Sequence, residues 1–343
     1  MSQPATKGFR KLCFATLVAV YFLIMVGGVV RSTGSGMGCP DWPTCFGKIV
    51  PPTSAEQLPS DYKEFYSAYR HAKNVKFAKY LSLIGLDETA DQLLDDESIR
   101  EEADFNATKT WVEYINRLVG VAVGLLIITL VWKALPLRTT HRRVFLFSVL
   151  TLVTVIIQGW FGSIVVSTNL TTWTITIHMF LALVIVAFLI YMLHLVESTS
   201  VKASAGTKWL LIICMLLLLV QTFLGTEVRS LIDTLAGTVI PRSRWVEALG
   251  LEFVVHRSFS WSVLIVHVIL LIRIRKTTGD KIFPLTLIIL ILGAILTGTG
   301  MAYFGVPAFL QPLHLVLATL IFGVQLKLYF RMNTGSDLMF NKA

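Results

Sequence analysis

Charge is scarce in this sequence. Asp, Glu, Lys and Arg supply 15% of its 343 residues while 55% are hydrophobic, whereas an ordinary soluble domain is about a quarter charged and under half apolar. That balance excludes a soluble globular protein. No Ser-His-Asp set, phosphate-binding glycine loop or zinc-protease motif is present, so hydrolytic and nucleotide-driven functions have no support. The start lacks the small-residue cleavage site of a removed signal peptide and the Arg- and Ser-rich character of a mitochondrial transit peptide. Its first apolar run is therefore expected to remain as a helix of a bacterial-type protein.

What the chain has instead is long apolar runs. A spanning helix needs about 20 mostly apolar residues, and eight such runs are expected near 12–30, 112–132, 144–166, 173–195, 208–228, 252–272, 282–300 and 311–331. Loops kept in the cytoplasm collect Lys and Arg. The N-terminus, the second, fourth and sixth loops and the tail hold 16 basic residues against three acids, Glu197, Asp280 and Asp337. These segments, and so both termini, are expected on the cytoplasmic side. Residues 32–110 carry 13 acids against 8 bases, and the short third and seventh loops carry no charge; these face outward. The net charge of +9 then reflects topology and contact with anionic lipid, with no nucleic acid as partner.

Helices one to four resemble helices five to eight. Val30-Arg31-Ser32 recurs as Val228-Arg229-Ser230, each Arg preceded four residues earlier by a glycine, Gly27 or Gly225. Glu113-Tyr-Ile-Asn116-Arg117 opens helix two, and Glu252-Phe-Val-Val-His256-Arg257 opens helix six. His178 and His314 each follow a glycine, Gly162 or Gly298, by 16 residues. An even number of helices separates the copies, so they form a parallel repeat. The expected fold is an all-α membrane protein of two pseudo-symmetric four-helix bundles, residues 1–200 and 201–343. A segment at about 48–110 has no counterpart of its length in the other half. It reads as an outward helical insertion, with helices near 61–83 and 87–103 broken at Gly85.

Ionisable and metal-binding side chains inside a membrane are costly and mark function. Glu113, His178, His256 and His314 all fall in the first turns of even-numbered helices, at one depth. Haem is a flat disc, and two imidazoles reach its iron when they project from facing helices at matching height. His256 and His314 meet that condition. The first half offers Asn116 and His178, and asparagine is a poor iron ligand, so the two haem sites should differ in coordination. Arg31, Arg117, Arg229 and Arg257 lie at the same level, where a guanidinium can bind a haem propionate or snorkel to lipid head groups; as a set matched between the halves they point to propionate binding as cofactor-binding residues, and the alternative for Glu113 is an ion pair with Arg117. His71, His141 and His194 carry no such pattern. His267 lies 11 residues, three turns, after His256, but its only partner at that depth, His194, is rotated roughly 160° from the face of His178. Cys39 and Cys45 enclose Pro-Asp-Trp-Pro-Thr on the outward, oxidising side and can close a disulfide; a closed zinc site would want four ligands. Cys13 and Cys214 sit singly within helices.

The run Gly34-Ser-Gly-Met-Gly-Cys39-Pro-Asp-Trp-Pro-Thr-Cys45, the Glu-x-x-(His/Asn)-Arg start of helix two, and the histidines on helices four, six and eight together resemble the haem A synthase family. The likeness extends over nearly all of the chain except the insertion. It implies an enzyme of the bacterial inner membrane, a haem-dependent oxidoreductase that oxidises the C8 methyl of haem O to a formyl group, giving haem A for cytochrome oxidase. It further implies haem b as prosthetic group in the second half on His256 and His314. Haem O, as substrate, would lie in the first half against His178. Glu113 matches the family's acidic residue beside the reacting methyl, where it would stabilise a cationic intermediate or move protons. Asn116 stands where the family usually has a second histidine. Haem O synthase and cytochrome oxidase assembly factors are the neighbours that family analogy suggests, and a homo-oligomer is compatible with the pattern. The competing readings are a cytochrome b-type electron carrier, which wants an inner haem, and a transporter with parallel repeats, which wants none.

Overall fold

In a computed structural model the described residues are 3–197, 200–277 and 282–337. Asp280, Lys281 and Lys342, which enter the charge count above, lie outside them. Helices dominate the described residues: α1 (Gln3–Ser32), α2 (Tyr62–Leu83), α3 (Asp87–Asp95), α4 (Ala107–Ala134), α5 (Arg142–Ser167), α6 (Thr172–Glu197), α7 (Ala205–Ala236), α8 (Trp245–Ala248), α9 (Leu251–Thr277), α10 (Ile282–Tyr303) and α11 (Leu310–Asp337). Eight of them, all but α2, α3 and α8, are long and apolar enough to cross a membrane. Each expected run falls within one of these helices, which extend past the apolar stretch at one or both ends.

Two faces on each span explain the packing. On α1, Phe9, Cys13, Leu17 and Val20 are buried at helical spacing, while Phe14, Val18 and Phe22 are exposed. The first row meets other helices, and the second is as apolar as the lipid it would face. The contacts close into two rings. α1 packs on α4, α4 on α5, α5 on α6, and α6 back on α1; α7 packs on α9, α9 on α10, α10 on α11, and α11 back on α7. The rings meet where α11 lies against α1 and α6, and where α6 touches α7. Part of that seam is polar: Thr172 is hydrogen-bonded to Ser230, and Thr176 donates to Thr226 at 3.1 Å.

Side-chain capping starts two spans. Asn106 accepts from the Lys109 amide at 3.0 Å ahead of α4, and Ser204 accepts from the Thr207 amide at 3.2 Å ahead of α7, each satisfying an amide that has no helical partner.

Between α1 and α4 the chain builds a cap on the end of the first ring. Gly85, at φ +80°, separates α2 from α3 as expected. The second helix is shorter than expected, ending at Asp95 rather than near 103. Asp96 accepts from the Ser98 amide at 3.0 Å and starts a separate 3-10 turn. Arg70, fully buried on α2, then donates to the carbonyls of Ile99 and Glu101 at 3.3 and 2.6 Å and pairs with the Glu102 carboxylate. Carbonyls held by a side chain are not free to continue a helix. The cap is fastened to the span ends by Asn74, which donates to the Ser167 carbonyl at 2.8 Å, and by Phe77, stacked on Trp173 at 6.0 Å.

Removing one member of a buried ion pair strands the other charge at a cost of about 3–5 kcal/mol. Arg70→Met is therefore expected to loosen the cap by that order, with Arg70→Met/Glu102→Leu recovering most of it. Amide hydrogen exchange across residues 62–106, with the spans as internal reference, measures both.

Candidate functional site

Four glycines on the spans each face the following span, and at each the next span presents a residue singled out from the sequence. A methyl group built on Gly162 of α5 would stand 3.4 Å from Cε1 of His178 on α6. On Gly225 of α7 it would stand 3.2 Å from Cε1 of His256 on α9, and on Gly298 of α10 it would stand 3.3 Å from Cε1 of His314 on α11. The fourth pair is Gly27 of α1 and Asn116 of α4, with 4.0 Å to Oδ1. A larger side chain at these glycines would push each imidazole out of its seat. The three histidines and Asn116 thus occupy one kind of socket, repeated in four helix pairs.

Two glutamines hold the sockets from the neighbouring span. Gln158 donates to the His178 backbone carbonyl at 2.9 Å, and Gln221 donates to the His256 carbonyl at 3.1 Å. Each lies four residues before the socket glycine, one turn along the same face. The Gln221 amide also lies 3.2 Å from Nδ1 of His256. His314 uses a different partner, with Nδ1 2.9 Å from the Thr297 hydroxyl. A hydrogen bond on one ring nitrogen fixes the orientation of an imidazole whose other nitrogen serves a metal. In the first ring, Nδ1 of His178 and Oδ1 of Asn116 are buried with no hydrogen-bond partner. Burying such atoms unpaired costs about 1–3 kcal/mol each. They fit a pocket whose occupant is polar or metal-bearing better than a filled apolar core.

The arginines divide. Arg117 pairs with Glu113 and donates to the carbonyls of Cys39, Asp41 and Thr44 at 2.9, 2.6 and 2.8 Å. Arg31 reaches the Asp233 carboxylate at 2.9 and 3.1 Å. Arg229 pairs with the same carboxylate and donates to the Arg31 carbonyl at 2.9 Å. Two guanidinium groups sharing one carboxylate leave a net positive charge at the seam between the rings. Arg257 lies over the Phe253 ring at 5.7 Å and has no carboxylate partner among the described residues.

Glu113 is 3% exposed and both of its oxygens are used, one by Arg117 and the other by the Cys39 amide at 2.8 Å. The ion pair with Arg117 weighed from the sequence is present. Cys39 and Cys45 form a disulfide and both are fully buried. Asp41 within that loop accepts from the amides of Phe46 and Gly47 at 2.6 and 2.9 Å. The disulfide loop and Glu113 therefore form one hydrogen-bonded unit.

Three turns below the sockets of the second ring, His267 takes a hydrogen bond at 2.6 Å from Gln325, itself 11 residues after His314. The matching layer of the first ring is Ile127 and Leu189, both fully buried. His194 stacks on Phe330 with ring centres 5.7 Å apart. Sequence reading missed Gln158, Gln221, Thr297 and Asp233. The signal for the glutamines was available: each is a polar residue inside an apolar run, four before a glycine.

The family model described as a cytochrome oxidase assembly protein, COX15-CtaA, matches residues 10–83 and 92–326. The match runs through most of the segment between α1 and α4, so the likeness is wider than expected and leaves out only 84–91 within it. A Shewanella oneidensis protein named heme A synthase is 26% identical over 290 residues, which cover 80% of this chain and 76% of its own. One of the same name from Rickettsia africae is 23% identical over 354 residues, covering 94% and 97%.

A methyl group on Gly38 would meet the Lys109 carbonyl at 2.5 Å, whereas one on Gly120 would meet nothing within 4 Å. Gly38→Ala is expected to cost about 1–3 kcal/mol by overpacking, while Gly120→Ala stabilises its helix by up to about 1 kcal/mol. Thermal unfolding in detergent, followed by circular dichroism, separates them.

Proposed function

Because the chain belongs to the COX15-CtaA family of cytochrome oxidase assembly proteins, we propose that it is a haem A synthase of a bacterial inner membrane, oxidising the C8 methyl of haem O to a formyl group. The single observation that carries this reading is the repeated socket. Three imidazoles, each seated against a glycine of the preceding span, would supply axial-ligand chemistry in two rings, and an asparagine amide occupies the fourth socket. The relatives that match over most of their length are bacterial and bear the name heme A synthase.

In this proposal the two halves, 1–200 and 201–343, divide the work. His256 and His314 would hold haem b, which supplies one-electron redox chemistry when bound. The hydrogen bonds of Gln221 and Thr297 to these residues support a preorganised pair. His178 would face the substrate haem, with the unpaired Asn116 amide oxygen in the place of a second ligand.

Converting a methyl to a formyl group removes four electrons and four protons and adds the oxygen of one water equivalent. Positive charge or protons must be handled beside the reacting carbon, and Glu113 is the buried acid on the span that carries Asn116. Its bonds to Arg117 and Cys39 hold the carboxylate in one place. Arg257, which has no carboxylate partner among the described residues, is the best candidate to receive a propionate. Arg31 and Arg229 share Asp233 and keep surplus positive charge for a second one. Haem O synthase and oxidase assembly factors would be partners by substrate supply and product delivery.

Extraction of pigment from the purified protein, followed by chromatography, tests the reading. Haem b together with haem O, its hydroxylated form or haem A is expected. Haem b alone at two per chain would indicate an electron carrier, and no haem would indicate a transporter. His256→Ala and His314→Ala are each expected to abolish the haem b absorption, and His178→Ala to leave it intact while removing the substrate haem. Asn116→His is expected to shift the substrate-haem spectrum toward a six-coordinate form; an unchanged spectrum and activity would assign Asn116 no special part.

A further inference from the structure

The turn between α2 and α3 carries apolar side chains that nothing among the described residues covers. Leu83 is 81% exposed, Ile84 71%, Tyr80 59% and Leu86 45%. They flank Gly85 at the tip of the cap, and the family model stops at residue 83 and resumes at 92, so most of this tip lies outside the family match. The opposite side of the same hairpin is firmly packed, with Phe77, Leu81 and Leu93 in one buried cluster with Phe161 and Ile164 of α5.

That packing sets the height of the tip. Phe161 lies six residues before Ser167, the last residue of α5, which at 1.5 Å per residue is about 9 Å back from the end of the span. The hairpin therefore descends beside the last turns of α5 instead of standing clear of it. Trp160, next to Phe161, is 50% exposed, and Ile156 below it is 63% exposed. The bare side chains of the tip are as apolar as this belt, and Trp at such a level belongs to a membrane interface. Lys76 and Lys79 are exposed on the final turns of α2, where they can reach phosphate groups.

We propose that residues 83–86 insert into the interfacial region of the leaflet on the histidine side of the molecule, with lipid as the occupant of this patch. The hairpin then has two anchors, the span ends through Asn74 and Phe77 and the bilayer through its tip. This inference does not depend on the haem reading, because it uses no residue of the sockets.

Nitroxide labelling of the full-length protein in phosphatidylcholine nanodiscs tests it. In a chain carrying Cys13→Ala and Cys214→Ala, a label is attached in turn at Ile84→Cys, at Ile156→Cys on the lipid-facing belt, and at Glu64→Cys on the exposed start of α2. Collision with oxygen, which concentrates in lipid, is compared with collision with a water-soluble nickel chelate. Position 84 is expected to match position 156, with the oxygen-to-nickel ratio several-fold above that at position 64. A ratio at 84 equal to that at 64 overturns the proposal. So does dipolar broadening between labels at 84, which would mean that a second copy covers the tip. Retained helical content by circular dichroism identifies the labelled chains as folded.

Discussion

The close approach of neighbouring spans at glycine is the constraint on which the rest of the structure depends. An imidazole on one helix can lie against the backbone of the preceding helix only where that backbone has no side chain, and Gly162, Gly225 and Gly298 provide this. Contact seats all three rings, and those of His256 and His314 are also hydrogen-bonded to Gln221 and Thr297, before any ligand arrives. Such preorganisation matters in a membrane, because a polar side chain free to move would find other partners or water defects. Spans that diverged by a further ångström or two at these glycines would leave the rings unsupported.

Much of this was legible because membrane sequences write depth and face plainly. The apolar runs gave the spans, and the offset of 16 residues from glycine to histidine in two places marked the sockets before any contact was visible. The partners of the arginines were not legible. Asp233 looks in sequence like an acid of a loop, yet α7 continues to Ala236 and brings it back onto Arg229 one turn earlier. The end of α3 was missed for a related reason. Helical periodicity runs on past Asp95, but the Asp96 cap and the grip of Arg70 on two carbonyls are tertiary facts that a local pattern does not contain. The second partner of Glu113, the Cys39 amide, lies 74 residues away in the chain, beyond any spacing rule.

The cap on the first ring joins these levels. The disulfide loop supplies the amide that meets Glu113 and the carbonyls that meet Arg117, so an acid on a span is positioned by a segment outside the spans. Gly38 permits this by lying against the backbone at Lys109. The second ring has a shorter roof, in which Arg242 donates to the Gly305 carbonyl at 3.0 Å and lies over Trp245. The two ends are closed by different devices, as suits sites that would hold different molecules.

Asp233 also bears on how the halves are related. Arg31 and Arg229 occupy matching positions, but four residues beyond them the first half has Ser35 and the second has Asp233. Identical residues at the two positions would bring two acids or none to this junction, and here one acid serves both bases. The junction is therefore balanced by a difference between the matching positions: Ser at both would leave the two arginines with no acid, and Asp at both would give them two.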